Sequence, residues 1–255
     1  MAGRQVSGEA PPRPPDRAVS LNDPELVRAE YASEAGLESR RSLYDNRVGP
    51  DPREVMWNEV VDLEPRRVLE VGPGPGEVSA RMLSELGCQV VAIDISERMV
   101  ALARARGVDA RVGDVEDLPF ADEEFDVVIA AWVLFHVRDI DRGLGEVARV
   151  LAPGGRLVAV TNSEYHLAEA RAHAGISMVG QMIFSRENGQ DALSRHFEHV
   201  EHIDVDGSLT FADGEAIRTY VRALGIWKQA ADAVPELTEP LQATTRNTIF
   251  VARKA

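Results

Sequence analysis

The chain of 255 residues has a single cysteine, Cys88, and only two lysines, Lys228 and Lys254. A lone thiol excludes an intramolecular disulfide and any cysteine-based metal cluster. Set between Gly87 and an apolar run, Cys88 reads as a small buried hydrophobe. No apolar stretch approaches the length of a membrane span, and the first residues lack the apolar centre of a secretory signal. The expected setting is therefore the cytoplasm, away from the bilayer. A basic stripe is missing too. Asp and Glu number 42 against 28 Lys and Arg, giving a formal net charge of −14. That surface repels phosphate backbones, so nucleic acid is excluded as the expected partner, and a small molecule or a local peptide site fits better.

What is present falls into zones. Residues 1–22 carry Pro11, Pro12, Pro14 and Pro15 with almost no apolar content, and read as a disordered tail. From residue 23 to 255 a single domain is expected. Asp23-Pro24 is an N-cap and first-turn proline opening a helix through Tyr31, and Asp51-Pro52-Arg53-Glu54 repeats the signal for a helix into Val60 and Val61. Strands and helices then alternate. Strands are expected at Arg67–Val71, Gln89–Asp94, Ala110–Asp114, Phe125–Trp132 and Arg156–Asn162. Between them lie helices from Gly76 to Leu86, from the Ser96 cap to Gly107, and from the Asp139 cap to Leu151, with a turn at Pro153-Gly154-Gly155. Residues 163–196 read as a helical insertion whose Met178, Met182 and Phe184 would form an apolar lid, or ordinary core. Two last strands, Glu198–Val205 and Thr248–Lys254, flank helical material from Asp213 to Ala233. Repeated βα units with glycine punctuation predict an α/β fold with a doubly wound, Rossmann-like sheet.

The chemistry concentrates in Val68-Leu69-Glu70-Val71-Gly72-Pro73-Gly74-Pro75-Gly76-Glu77. A strand ends on an acid and turns through three alternating glycines into a helix, which brings bare backbone and free N–H groups to one point. A dinucleotide fingerprint places its third glycine three residues after the second, where this chain has Glu77. No Lys-Ser/Thr follows the glycines, so a P-loop is excluded. Asp94 closes the second strand about twenty residues beyond the glycines, the spacing of a carboxylate that accepts from ribose hydroxyls. Ser96 already fills the helix N-cap, which leaves Asp94 available. His196, His199 and His202 would alternate faces on a strand and read as solvated or packing side chains, not metal ligands.

Four stretches in order resemble the class I S-adenosylmethionine (SAM) methyltransferases, particularly the bacterial type 11-like group acting on small molecules. They are Glu70–Gly76, Val90–Ser96, Gly113–Phe120, and Phe125–Trp132 running on to Glu146–Gly155. The resemblance implies a seven-stranded mixed sheet with an antiparallel last strand, N-terminal cap helices and SAM as cofactor. It assigns cofactor contacts to Glu70, Gly72, Gly74, Gly76, Asp94, Ile95, Asp114, Val115 and Ala131. Met99 would pack on adenine or simply in the core, and Tyr31, Arg41 and Tyr44 would fold over the cofactor, Arg41 holding its carboxylate or lying on the surface. The implied reaction is methyl transfer to an O or N atom of a small acceptor. His136, at the carboxyl edge of the fourth strand, is a candidate base or a hydrogen-bonded loop histidine, and Glu164 and His166 follow the fifth strand at the same edge. Ala130-Ala131-Trp132-Val133 stands where base aminomethylases carry Asn/Asp-Pro-Pro-Tyr/Phe, and no Pro-Cys nucleophile exists, which disfavours nucleic-acid methylation again. The rival readings are an NAD-dependent oxidoreductase, a non-catalytic SAM-binding partner protein and a peptide methyltransferase.

Overall fold

The computed structural model describes residues 21–23, 25, 27 and 43–255. Tyr31, Arg41, most of the expected tail and most of the first cap helix lie outside the described residues. Asp23 accepts from the Glu25 amide at 2.9 Å, as a cap does.

Seven strands form one sheet in the order β3-β2-β1-β4-β5-β7-β6. They are β1 (Arg67–Val71), β2 (Gln89–Asp94), β3 (Asp109–Val112), β4 (Phe125–Ala131), β5 (Leu151–Asn162), β6 (His199–Phe211) and β7 (Leu241–Arg253). Strands β1 to β5 pair in parallel, while β7 runs antiparallel to both β5 and β6. The sheet is therefore mixed and seven-stranded, as the resemblance implied.

Alternation along the strands explains the two covered faces. Val68, Val127 and Ile129 join Met56, Trp57 and Val60 of helix α1 (Pro52–Asp62) and Met82 of α2 (Glu77–Glu85). Leu69, Val128 and Ala130 point the other way, onto Leu144 and Val147 of α4 (Ile140–Val150). Helix α3 (Glu97–Ala105) adds Val100 and Ala103 over Ala92. Side chains of this size buried from water contribute about 2 kcal/mol each, so a strand apolar at every position is stable only when covered on both sides.

Asp51, Ser96 and Asp139 cap α1, α3 and α4 through the amides of Arg53, Met99 and Arg142. Three segments differ from the sequence expectation. Pro153-Gly154-Gly155 lies within β5, which begins at Leu151 across a register shift against β4. The 163–196 segment folds as two six-residue helices, α5 (Ala168–His173) and α6 (Gly189–Ser194), joined by turns. Its Met182 and Phe184 are buried, Phe184 packing edge-on against Phe250 of β7. Apolar side chains drew this segment onto the sheet. Lastly, β6 and β7 pair over 13 residues each, far beyond the two short strands expected. This ribbon packs Leu209, Phe211 and Ala243 against Ile217 and Val221 of α7 (Gly214–Ala223). A bridge from Val48 to Ser208 fastens the segment before α1 onto it.

Candidate active site

A cavity of about 730 Å³ opens at the carboxyl ends of β1, β2, β4 and β5. Ligands of open α/β sheets bind there because the βα loops and helix N-termini converge at that edge. Glycines shape the floor unequally. Gly72 has φ +66°, and a Cβ there would lie 2.5 Å from Val133. Gly76, at φ +83°, would clash with Ala103 of α3, so it lets the start of α2 pack closely on α3 and does not line the cavity. Gly74, at φ +54°, has no atom within 4 Å of its would-be Cβ and faces open space. Only Gly74 leaves room for a ligand against bare backbone.

Acids surround that floor. Glu70, 2% exposed, accepts from the Ser79 hydroxyl. Burial pushes its carboxyl up to about 7, against the Ser79 bonds, and the Asp94 charge adds to the shift. Asp94 accepts from the Ser96 amide at 2.8 Å, yet burial holds it up at about 6 despite that bond and one from the Gly74 backbone. Asp114 accepts from the Glu116 amide at 3.0 Å and lies 3.9 Å from the Arg138 guanidinium. Ile95, Val115 and Ala131 also line the cavity. Met99 does not. It lies buried in α3, because the Ser96 cap directs its helical position inward.

His136 reaches the cavity wall from a single 3-10 turn, Leu134–His136. Its Nδ1 lies 2.9 Å from the Leu21 carbonyl, which can only accept, so Nδ1 carries the proton and Nε2 is the basic atom of the ring. Glu164 and His166 are elsewhere. Glu164 accepts from the Gly180 amide at 2.7 Å, inside the 163–196 segment. His166 is buried behind the wall with Nε2 2.8 Å from the Tyr44 hydroxyl and Nδ1 3.0 Å from the Arg246 amide. Burial lowers its pKa to about 4, helped by the charges of Arg171, Arg47 and Arg186, so it stays neutral and holds Tyr44. Neither residue lines the cavity, nor does any other residue of the 163–196 segment.

The opposite wall contains residues that sequence reasoning did not single out: Arg47, Trp132, Asn162 and Asn247, beside Tyr44. Trp132 follows β4 with φ +53°, a left-handed backbone that bulky residues rarely adopt. Its indole Nε1 lies 3.2 Å from Asn162 Oδ1 and 3.3 Å from Asn247 Oδ1. Only the position of Asn162 at the end of the fifth strand hinted at this wall.

Comparison with known proteins agrees with the geometry. A family model for a methyltransferase domain matches residues 69–159. That stretch, about a third of the chain, is similar to the class I SAM methyltransferases. The chain is 43% identical over 100 residues to a demethylmenaquinone methyltransferase of Corynebacterium efficiens, covering 39% of this chain and 43% of that one. It is 26% identical over 216 residues to a malonyl-[acyl-carrier protein] O-methyltransferase of Chlorobium luteolum, covering 82% and 81%. The matches to the first curated relatives span less than half of their lengths. Among solved structures, a phosphoethanolamine N-methyltransferase of Haemonchus contortus with S-adenosylhomocysteine (SAH) superposes with a TM-score of 0.61 at 19% identity, covering 92% of this chain and 61% of that one. That likeness shows the shared fold. No helix among the described residues is long and apolar enough to cross a membrane.

Proposed function

We propose that this chain transfers the methyl group of SAM to an O or N atom of a small-molecule acceptor, and that it does so in the cytoplasm. One observation carries the reading. Glu70 and Asp94 are two buried carboxyls at the glycine edge of the cavity, held at about 7 and about 6 with no cation among the described residues contributing to either shift. Acids desolvated in this way favour a ligand that brings donors and positive charge. SAM has a ribose diol, an ammonium and a sulfonium, and the Gly74 floor has space for backbone contact. The residues present fit the cofactor.

Within that reading Asp94 accepts from the ribose hydroxyls, Asp114 and Val115 flank the adenine, and Glu70 orders the glycine loop near the methionine end. SAM supplies an activated methyl carbon, so the protein mainly holds a nucleophile in line with it and excludes water. His136 Nε2 is the proton acceptor when the nucleophile is a hydroxyl or a protonated amine.

The test is calorimetric titration with SAH beside NAD, in wild type and Asp94→Ala, followed by mass-spectrometric screening of acceptor pools. Micromolar SAH binding lost in the variant, with a +14 Da product, supports the reading. NAD binding in place of SAH would revive the oxidoreductase. SAH binding with no product from any pool would mean a binding protein, and label incorporated into macromolecules would mean a peptide acceptor.

A further inference from the structure

We propose that Asn162 and Asn247 form a donor pair that holds an oxyanion of the acceptor, a carboxylate or phenolate, beside Trp132. The inference rests on the methyltransferase reading and specifies its substrate class.

Register brings the pair together. Asn162 of β5 and Asn247 of β7 are directly opposed in the antiparallel ladder, so both amide side chains project from the same face. Both reach the indole Nε1 of Trp132. An indole N–H can only donate, so both amide oxygens must face it. The orientation of each amide is therefore set by chemistry, and both NH₂ groups turn away from Trp132. Neither amide nitrogen has a partner among the described residues, and both residues line the cavity. Asn247 is 3% exposed as a residue, yet neither amide nitrogen is one of the fully enclosed orphan atoms, so both donors open onto the cavity. Two free donors side by side on a cavity wall match a group that only accepts.

Charge on this wall has the matching sign. Arg47 lines the same cavity, with Nε 3.0 Å from Thr245 Oγ1, two residues before Asn247 on the ribbon. One of its guanidinium nitrogens is buried without a hydrogen bond. Of the acids acting on Arg47, Asp51 is occupied by Arg53 at 3.1 Å and Asp206 by Arg186 at 2.6 Å. Glu70, Asp94 and Asp114 lie around the glycine floor, on the side assigned to the cofactor. Trp132 itself offers an aromatic face at the junction of the two sides, and its strained backbone is of the kind that collects at functional sites.

The probes are benzoate and 4-nitrophenolate, with benzamidine as the donor-only isostere of benzoate. Each is titrated calorimetrically at pH 8 into protein saturated with SAH, so that the acidic side is filled. Benzoate or nitrophenolate should bind at least about tenfold more tightly than benzamidine, the scale of one charge-assisted hydrogen bond in an enclosed site. Asn247→Asp should reverse the preference. Trp132→Phe keeps an aromatic ring but removes the N–H that fixes the amides, and should erase the preference while leaving SAH affinity within about twofold. If wild type fails to bind SAH, the cofactor reading is wrong. If SAH binds but the anions do not, or bind no better than benzamidine, or keep their preference in both variants, the donor-pair proposal is overturned and the cofactor reading stands.

Discussion

Cofactor affinity should climb steeply with pH, because the two acids proposed to face the cofactor titrate between about pH 6 and 7. Asp94 sits at about 6 and Glu70 at about 7. A ribose diol and a cationic ammonium both favour ionised carboxylates, so binding selects the deprotonated protein. At pH 5.5 roughly a quarter of the Asp94 population is ionised, which weakens binding about fourfold. Glu70 at that pH is ionised in only about one molecule in thirty, and if its charge is required in full the two effects together reach about a hundredfold, or about 2.7 kcal/mol. The sign is definite: affinity rises with pH, and binding between pH 6 and 7 releases protons. SAH titrations at pH 5.5, 6.5, 7.5 and 8.5 in buffers of different ionisation heat read both quantities. Glu70→Gln should remove the step near pH 7, and Asp94→Asn the step near pH 6 at a lower overall affinity. A flat affinity across this range in wild type, or proton uptake on binding, would refute the placement of these acids against the cofactor.

Three further outcomes follow from the same structure. Burial raises Glu70 from 4.5 to about 7, so its contribution to stability is present below 4.5 and lost as pH rises through 7. Glu70→Gln should thus stabilise the ligand-free protein at pH 8, by at most about 3 kcal/mol, and leave it little changed at pH 5, as thermal melts would show. His166 has the opposite sign. Lowered from 6.5 to about 4, it contributes stability above 6.5 that disappears as pH falls to 4. His166→Gln should flatten that acid limb in urea titrations, and an unchanged limb would argue against a neutral buried imidazole. The glycines separate as well. Gly76→Ala meets Ala103 at 2.7 Å and should cost about 2 kcal/mol or more of stability. Gly74→Ala meets nothing and should cost about 1 kcal/mol of backbone strain, yet lose SAH binding. Equal melting losses in the two variants would contradict this division.

The legible part of the chain was the part whose information is local. Strands β1 and β2 begin and end at the residues read from the sequence, since each is a short apolar run between a loop and an acid. The glycine floor, Asp94 and Asp114 were legible for the same reason. Met99 was half-legible. Its position three residues after the Ser96 cap turns it inward, and helical phase decides its place rather than residue type. The ribbon was under-read because Asp206, Gly207, Ser208 and Arg246-Asn247 have loop-like composition. They become strand only through pairing with each other. Of the facing wall, Tyr44 was named from the sequence, while Arg47, Trp132, Asn162 and Asn247 were hidden by distance along the chain. Arg47 meets Thr245 across 198 residues and Trp132 meets Asn247 across 115. No window of sequence contains both partners of such a pair.

The same ribbon sets an order of events during synthesis. Strands β1 to β4 and their helices close over short chain separations, so the glycine edge can assemble while the ribosome is still extending the chain. The facing wall cannot. Until residues 241–253 have emerged, Val48 has no ribbon for its bridge to Ser208 to rest on, and Trp132 has no Asn247. On the proposed reading, a nascent chain completes its cofactor edge well before the wall that selects an acceptor. A release assay on ribosome-stalled chains of increasing length would see SAH retention appear first and discrimination among aromatic anions only at the end.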